Sequence, residues 1–191
     1  MIVDWPSLLM EAATRAGAPG LVARGEMLTR MAEADLNRRL RVAGQEASVT
    51  LTTDPFKEVA LPADFLEARG VYIGYERLEK VSLSLLRTEQ LEGYAIQGTT
   101  LFSSRAETDH ALDYYATLPA LGRTLASNWL LAANPDLYLF ALLKQMWLAQ
   151  NNVEAAQAAG AYMATLVAEM QGDDAHRRFG GQMMTFVGAT P

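Results

Sequence analysis

The sequence predicts a mainly α protein with an inserted small antiparallel β element and an extended C-terminal arm. Apolar residues recur at helical spacing over residues 4–43 and again over residues 127–171. Between them, residues 47–117 contain short alternating stretches that are rich in β-branched residues. Residues 179–191 contain no charged side chain and show no helical period. Half of the residues are hydrophobic and a fifth are charged, which is the composition of a globular protein.

Two helices are predicted at the N-terminal end. Asp4 is a suitable N-cap with Pro6 in the first turn, and the glycines and proline of residues 17–20 end this helix. The second helix has one charged face and ends in the sequence Arg38-Arg39-Leu40-Arg41. Its predicted apolar face consists of Leu28, Met31, Ala32, Leu36 and Leu40.

The middle of the chain is predicted to form about six short strands. Residues 49–61 alternate around an Asp54-Pro55 turn, which predicts a hairpin. Residues 94–102 predict a second hairpin, and residues 111–115 a final strand. Residues 62–66 are interpreted as a single helical turn. Strands this short with local turns favour a small antiparallel sheet that is partly exposed.

Helices are predicted again after residue 127. Ser127 can cap a short helix, and Asn134-Pro135-Asp136 combines an N-cap, a proline at the first position and an acid at the positive end of the helix dipole. Asn152 can cap the last helix. That helix is rich in small residues that allow close helix packing, namely Ala155, Ala156, Ala158, Ala159, Gly160 and Ala161.

The segment Phe179–Pro191 forms the predicted C-terminal arm. It follows a charged run over residues 173–178, and its side chains are apolar or polar but uncharged. A terminus of this length and composition is either disordered or docks on another surface.

The arginines Arg38, Arg39 and Arg41 admit three interpretations. They can contact phosphates, pair with acids on a neighbouring subunit, or form the solvated C-terminal end of a helix, where cations are favoured. We prefer the solvated helix end, with pairing between subunits second.

The sequence offers no recognisable catalytic constellation. There are no cysteines, which excludes disulfides and thiolate chemistry, and no metalloprotease, nucleophile-elbow or phosphate-binding motif. The two histidines, His110 and His176, are interpreted as solvated surface residues. We therefore predict that the chain is not an enzyme and has no cofactor or metal.

Charge and hydropathy bear on the partners. The formal net charge of -6 argues against tight DNA binding, because DNA affinity comes mainly from neutralising phosphates. No window holds about 18 uninterrupted apolar residues, so no membrane partner is expected.

Several blocks carry a family resemblance through their order and spacing. They are Leu36–Arg41, Ala47–Asp54, Val59–Arg69, Tyr94–Gly98, Leu112–Leu121, Asn128–Leu131 and Asn134–Leu143. Together they resemble the head-to-tail adaptor, or connector, proteins of tailed bacteriophages, in particular those of short-tailed phages and related prophages. The resemblance extends over about residues 20–181.

The resemblance implies a helix bundle with a β element and no enzymatic activity. It implies a dodecameric ring in the virion neck, below the portal protein, that is assembled in the host cytoplasm. A tail or nozzle protein binds the lower face, and double-stranded DNA passes through the ring without tight binding. The C-terminal arm is expected to dock on the portal, with Phe179, Met183, Met184 and Phe186 as its anchors.

The expected organisation has four parts. Residues 1–46 form the N-terminal helices of the bundle, residues 47–122 the β-rich insert, residues 123–174 the C-terminal helices and residues 175–191 the arm. Other hypotheses remain open: another tail-completion or stopper protein, a small enzyme or accessory domain with an unrecognised site, or a DNA-binding regulator.

Overall fold

The chain folds into two compact units. The computed structural model describes residues 2–88 and 91–179. The first unit, here called the helical unit, combines residues 1–43 with residues 120–191. The second unit, here called the β unit, comprises residues 44–119 and overlaps the insert that was predicted over residues 47–122.

Five α-helices build the described part of the helical unit. Asp4 caps the first of them, because its side chain accepts a hydrogen bond from the backbone N–H of Ser7 while the Ser7 side chain bonds back to the Asp4 backbone. Asn128 caps a later helix by accepting from the N–H of Leu131. The helices are α1 (Trp5–Arg15), α2 (Gly25–Arg39), α4 (Trp129–Ala133), α5 (Pro135–Ala149) and α6 (Val153–Phe179), and a 3-10 helix spans Pro19–Arg24.

Helix α5 lies at the centre of the helical unit. It packs against α1, α2, α4 and α6. Helices α1 and α2 approach closely, because a Cβ atom added at Gly25 would lie 2.4 Å from a methyl carbon of Leu9. The buried side chains of α5 are Leu137, Tyr138, Leu139, Ala141, Leu142, Leu143, Gln145 and Met146.

The described residues of the β unit form two antiparallel sheets. One has the strand order β1-β7-β3-β4 and the other the order β2-β6-β5. A 3-10 turn over Ala43–Gln45 precedes the first strand, and a short helix α3 (Leu83–Arg87) lies between β4 and β5. The strands are β1 (Glu46–Thr52), β2 (Glu58–Ala60), β3 (Phe65–Ile73), β4 (Glu76–Arg77), β5 (Tyr94–Gln97), β6 (Thr100–Ser103) and β7 (Asp109–Ala116).

Both sheets contribute to one hydrophobic core. Strand β7 is central to its sheet, where it pairs with β1 on one side and with β3 on the other. The core residues of this cluster are Val71, Leu78, Tyr94, Leu101, Leu112 and Tyr114. The β unit therefore buries a core of its own.

The predicted fold class, a mainly α helix bundle with an inserted small β element, was wrong. The described residues contain seven strands in sheets of four and three, so the chain is not a helix bundle with a small β element. The main error concerns β3, whose first residues, Phe65 and Leu66, were interpreted as part of a helical turn over residues 62–66. Register shifts between Phe65 and Glu67 and between Ala68 and Gly70 break the period-2 alternation that identifies a strand.

The C-terminal part of α6 continues into the segment that was predicted as an arm. Helix α6 ends at Phe179, so residues 175–179 are helical and the charged run lies within the helix. An ion pair of 2.7 Å joins Arg178 to Asp174 one turn before it. Residues 180–191 lie outside the described residues.

Replacing Gly93 by alanine is expected to destabilise the β unit. Gly93 has a φ of 157°, and a Cβ atom there would lie 2.4 Å from the backbone oxygen of Glu79. We expect Gly93→Ala to lower the free energy of unfolding by about 3 kcal/mol. Gly98→Ala is the control, because its φ is also positive but nothing lies within 4 Å, and we expect a loss of about 1 kcal/mol. Urea denaturation of both variants measures the difference, and equal losses would contradict the steric explanation.

Candidate assembly surfaces

A buried carboxylate on α2 organises the helical unit. The Glu33 residue is 4% exposed, and its Oε1 accepts hydrogen bonds of 2.7 Å from the Leu121 N–H and of 2.7 Å from the Tyr138 hydroxyl. The Tyr138 hydroxyl in turn accepts from the Asn128 side-chain amide at 3.0 Å. Because Asn128 also caps α4, this one carboxylate joins α2 to the segment before α4 and to α5.

Burial shifts the pKa of the Glu33 carboxyl. It raises the pKa of Glu33, against the opposing effects of the hydrogen bonds from Leu121 and Tyr138 and of the charge on Arg30. Burial and the charge of Glu33 also raise the pKa of Tyr138. Both side chains are enclosed and engaged with each other, so their arrangement serves to position the helices.

A second ionic cluster lies at the C-terminal end of α2. The Asp35 side chain is 7% exposed and bonds to Lys144 Nζ at 2.6 Å and to Arg39 Nε at 3.1 Å. Burial acts to raise the pKa of Asp35, but the hydrogen bonds and charges of Lys144 and Arg39 together hold it below its ordinary value. The cluster therefore anchors α5 to α2.

The three arginines that were singled out in the sequence have different surroundings. Arg39 belongs to the Asp35 cluster, and Arg41 donates to the backbone carbonyls of Asn37 and Leu40. The Arg38 side chain is 73% exposed and lies 3.5 Å from Asp35. Their contact with another subunit or with phosphate stays a prediction, and Arg38 is the most exposed of the three side chains.

The last turns of α6 are fixed to the end of α2. The Gln171 side-chain amide donates to the Arg39 carbonyl at 2.8 Å, and Asp174 accepts from the Ala43 N–H at 3.2 Å. The predicted arm therefore begins at a defined position. Of its expected anchors, Phe179 is the last residue of α6, whereas Met183, Met184 and Phe186 lie outside the described residues.

The interpretation of His110 as a surface residue was wrong. His110 is fully buried on β7, and its Nε2 atom lies 2.6 Å from the hydroxyl of Ser103 on β6. Its Nδ1 atom lies 2.8 Å from the Thr108 carbonyl. Burial lowers the pKa of His110, which favours a neutral ring that accepts from Ser103 and donates to Thr108.

This Ser103–His110 pair connects the two sheets of the β unit. Ser103 is only 1% exposed, so neither member faces solvent, and the ring nitrogen of His110 is oriented by a backbone carbonyl. We interpret the pair as structural. A signal for it existed in the sequence, because His110 continues the inward alternation of Leu112 and Tyr114 by one more step. His176, by contrast, is exposed on α6.

Residues 2–88 and 91–179 contain neither a cluster of metal ligands nor a membrane-spanning helix. Within these ranges, no group of three or more His, Cys, Asp or Glu side chains is arranged to hold a metal ion. None of the helices described is both long and apolar enough to cross a bilayer.

Comparison with known proteins decides the family. The family model described as SU10 adaptor protein matches residues 4–185. The chain belongs to the SU10 adaptor protein family. No curated protein matches the chain.

Membership of the SU10 adaptor family confirms the resemblance to phage head-to-tail adaptors. The match includes every helix and strand described above, so the family model covers both the helical unit and the β unit. An adaptor of this family is a structural protein of phage particles, which indicates a role in assembly rather than in catalysis.

Removing the Tyr138 hydroxyl is expected to destabilise this SU10 adaptor. Tyr138→Phe deletes one of the two hydrogen bonds to the buried Glu33 and the acceptor of Asn128, which should lower the free energy of unfolding by about 2 kcal/mol. The matched control is Tyr162→Phe on α6, where the residue is 49% exposed, and its effect should be within about 0.5 kcal/mol. Chemical denaturation compares the two variants, and an effect of similar size in both would argue against the Glu33 network.

Acidification is expected to weaken the β unit through His110. Burial lowers the pKa of His110 in the folded state. The stability that the neutral ring contributes is therefore fully present above the unfolded pKa, and it is lost as the pH falls through the folded pKa. The free energy of unfolding should therefore decline below about pH 6.5. His110→Gln should remove this pH-dependent part of the free energy of unfolding, whereas His176→Gln should retain it. Denaturation at a series of pH values tests this, and an unchanged slope in His110→Gln would contradict it.

Proposed function

We propose that this chain assembles into a dodecameric ring in the virion neck. The ring joins the portal protein to the tail and continues the channel for DNA. The observation that carries the proposal is the family match over residues 4–185. The ordered blocks Leu36–Arg41 and Asn134–Leu143 add the resemblance to adaptors of short-tailed phages.

The C-terminal arm is the portal-docking element of this proposal. Its sequence changes from the charged residues 173–178 to residues 179–191, which carry no charge. An uncharged segment can enter an apolar groove on a partner without desolvating ionised groups, and burial contributes about 25 cal/mol per Å² of apolar surface. Phe179, Met183, Met184 and Phe186 are the proposed anchors, since they are the large apolar side chains spaced along it.

The composition supports passage of DNA without tight binding. A chain with a formal net charge of -6 repeated around a ring surrounds the DNA with an excess of negative charge. The lower face of the ring is proposed to receive a tail or nozzle protein. Assembly in the host cytoplasm belongs to the same proposal.

Removing the arm tests portal docking. Deletion of residues 180–191 leaves every described helix and strand intact. We expect the deletion to weaken binding to purified portal rings by at least about tenfold, or roughly 1.4 kcal/mol. Alanine at all four anchors should have the same effect in the full-length chain.

A matched control uses polar residues of the same arm. Gln182, Thr185 and Thr190 replaced together by alanine should leave portal binding unchanged. Biolayer interferometry on immobilised portal rings measures the binding of every variant. Full binding by the chain that lacks residues 180–191 would refute the role of the arm.

A further inference from the structure

Helix α2 presents an exposed face on the side opposite its core residues. Met27 and Met31 are 44% and 48% exposed, although Met31 was predicted to lie on the apolar face. Ala34 and Arg38 continue the line at spacings of three and four residues, and all four side chains are exposed. We call these four residues the α2 face. It is apolar along its length and ends in a cation.

The α2 face is flanked by basic residues. Arg24 and Arg30 are exposed on its two sides, and Arg30 forms a 3.3 Å ion pair with the exposed Glu26. The other two acids of α2, Glu33 and Asp35, are buried, and Asp35 pairs with Arg38 and Arg39 at the C-terminal end of the helix. Arginine is therefore the predominant charge around it.

Helix α6 presents a second exposed face, of different composition. Its core side consists of Ala156, Ala159, Met163 and Val167, which are buried. The opposite side carries exposed small residues at spacings of three and four, namely Ala158, Ala161, Thr165 and Ala168, and we call these the α6 face. The Thr165 hydroxyl donates a hydrogen bond to the Ala161 carbonyl at 3.3 Å. Its donor is therefore satisfied, and this face presents methyl groups to its surroundings.

The α6 face is flanked by acidic residues. Glu154 and Glu169 are exposed near its two ends. Between Val153 and His176 the sequence contains no lysine, arginine or histidine. The charge around the α6 face is therefore opposite in sign to the charge around the α2 face.

The two faces also match in size. Residues 27–38 extend for about 17 Å and residues 158–168 for about 15 Å at the α-helical rise. Methionine side chains are long and flexible, and alanines leave space for them, which is the large-against-small pairing that fills a helix interface. Both faces have an apolar centre, and the charges that flank them are opposite in sign. Charge attraction therefore favours pairing of the α2 face with the α6 face, whereas charge repulsion disfavours pairing of either face with a copy of itself.

We propose that the α2 face of one copy packs against the α6 face of the next copy in the ring. This inference rests on the ring of the proposed function and assigns the surfaces that join its subunits. One chain carries both faces on different helices that pack on α5. A contact between two different faces is heterologous and continues from copy to copy, as a closed ring requires.

Disulfide cross-linking between copies tests the pairing directly. The natural chain has no cysteine, so Met31→Cys and Ala161→Cys each introduce a single thiol. The two variants are mixed, assembled with purified portal rings and oxidised. We expect a mixed disulfide dimer in high yield, and little product from either variant alone. Met10→Cys mixed with Ala161→Cys is the control, because Met10 is 57% exposed but lies on α1.

The outcomes separate this inference from the ring itself. Multi-copy assemblies on the portal without the mixed disulfide would overturn the pairing and leave the ring proposal standing. A single copy per portal, or a chain that remains monomeric, would overturn both. Equal cross-linking by the Met10→Cys control, or capture of Met31→Cys by the portal protein, would also overturn the pairing.

Charge reversal provides a second, independent measurement. Arg30→Glu with Arg38→Glu reverses the α2 side, and Glu154→Lys with Glu169→Lys reverses the α6 side. We expect each double variant alone to lose at least nine-tenths of its assembly, and an equal mixture to recover it by alternating around an even-numbered ring. Glu11→Lys with Arg15→Glu on α1 is the control and should assemble normally. Failure of the mixture to recover, when each variant alone is folded, would contradict the proposal.

Discussion

The buried carboxylate of Glu33 is the constraint on which the helical unit depends. Transfer of a carboxylate from water into a protein interior is costly unless its oxygens are bonded, and here two short hydrogen bonds offset that cost. Their donors come from Leu121 and Tyr138, which are far from Glu33 in sequence. The same carboxylate thereby fixes the return of the chain from the β unit and the position of α5. With α2 held in this way, its exposed methionines and arginines point in a defined direction.

The β unit relies on a different kind of constraint. Its sheets share one hydrophobic core, and the neutral His110 joins β7 to Ser103 on β6. A buried polar pair with both ring nitrogens engaged fixes the register of two sheets more strictly than apolar contacts alone, because a shift would leave the nitrogens without partners. A unit with its own core can keep its shape while the helical unit makes the proposed contacts to neighbouring copies.

The sequence was most informative where local signals agree with tertiary packing. Asn134-Pro135-Asp136 predicted the start of α5, and the Asp4 cap predicted α1. Strand β3 was largely missed because two register shifts interrupt its alternation, so the β content was underestimated. Met31 was assigned to the core because helical spacing alone permits it, whereas the packing of α2 turns it outward. His110 was missed because the final strand was predicted to begin at residue 111, so the inward alternation of Leu112 and Tyr114 was not extended back to it.

We propose that this member of the SU10 adaptor family forms a ring between portal and tail. A cryo-EM reconstruction of portal rings incubated with the full-length chain is the most direct measurement. We expect twelve copies arranged around an open channel on one end of the portal, with residues 180–191 of each copy in contact with the portal. A portal that binds isolated copies at its side, or a channel closed by the bound chain, would contradict it.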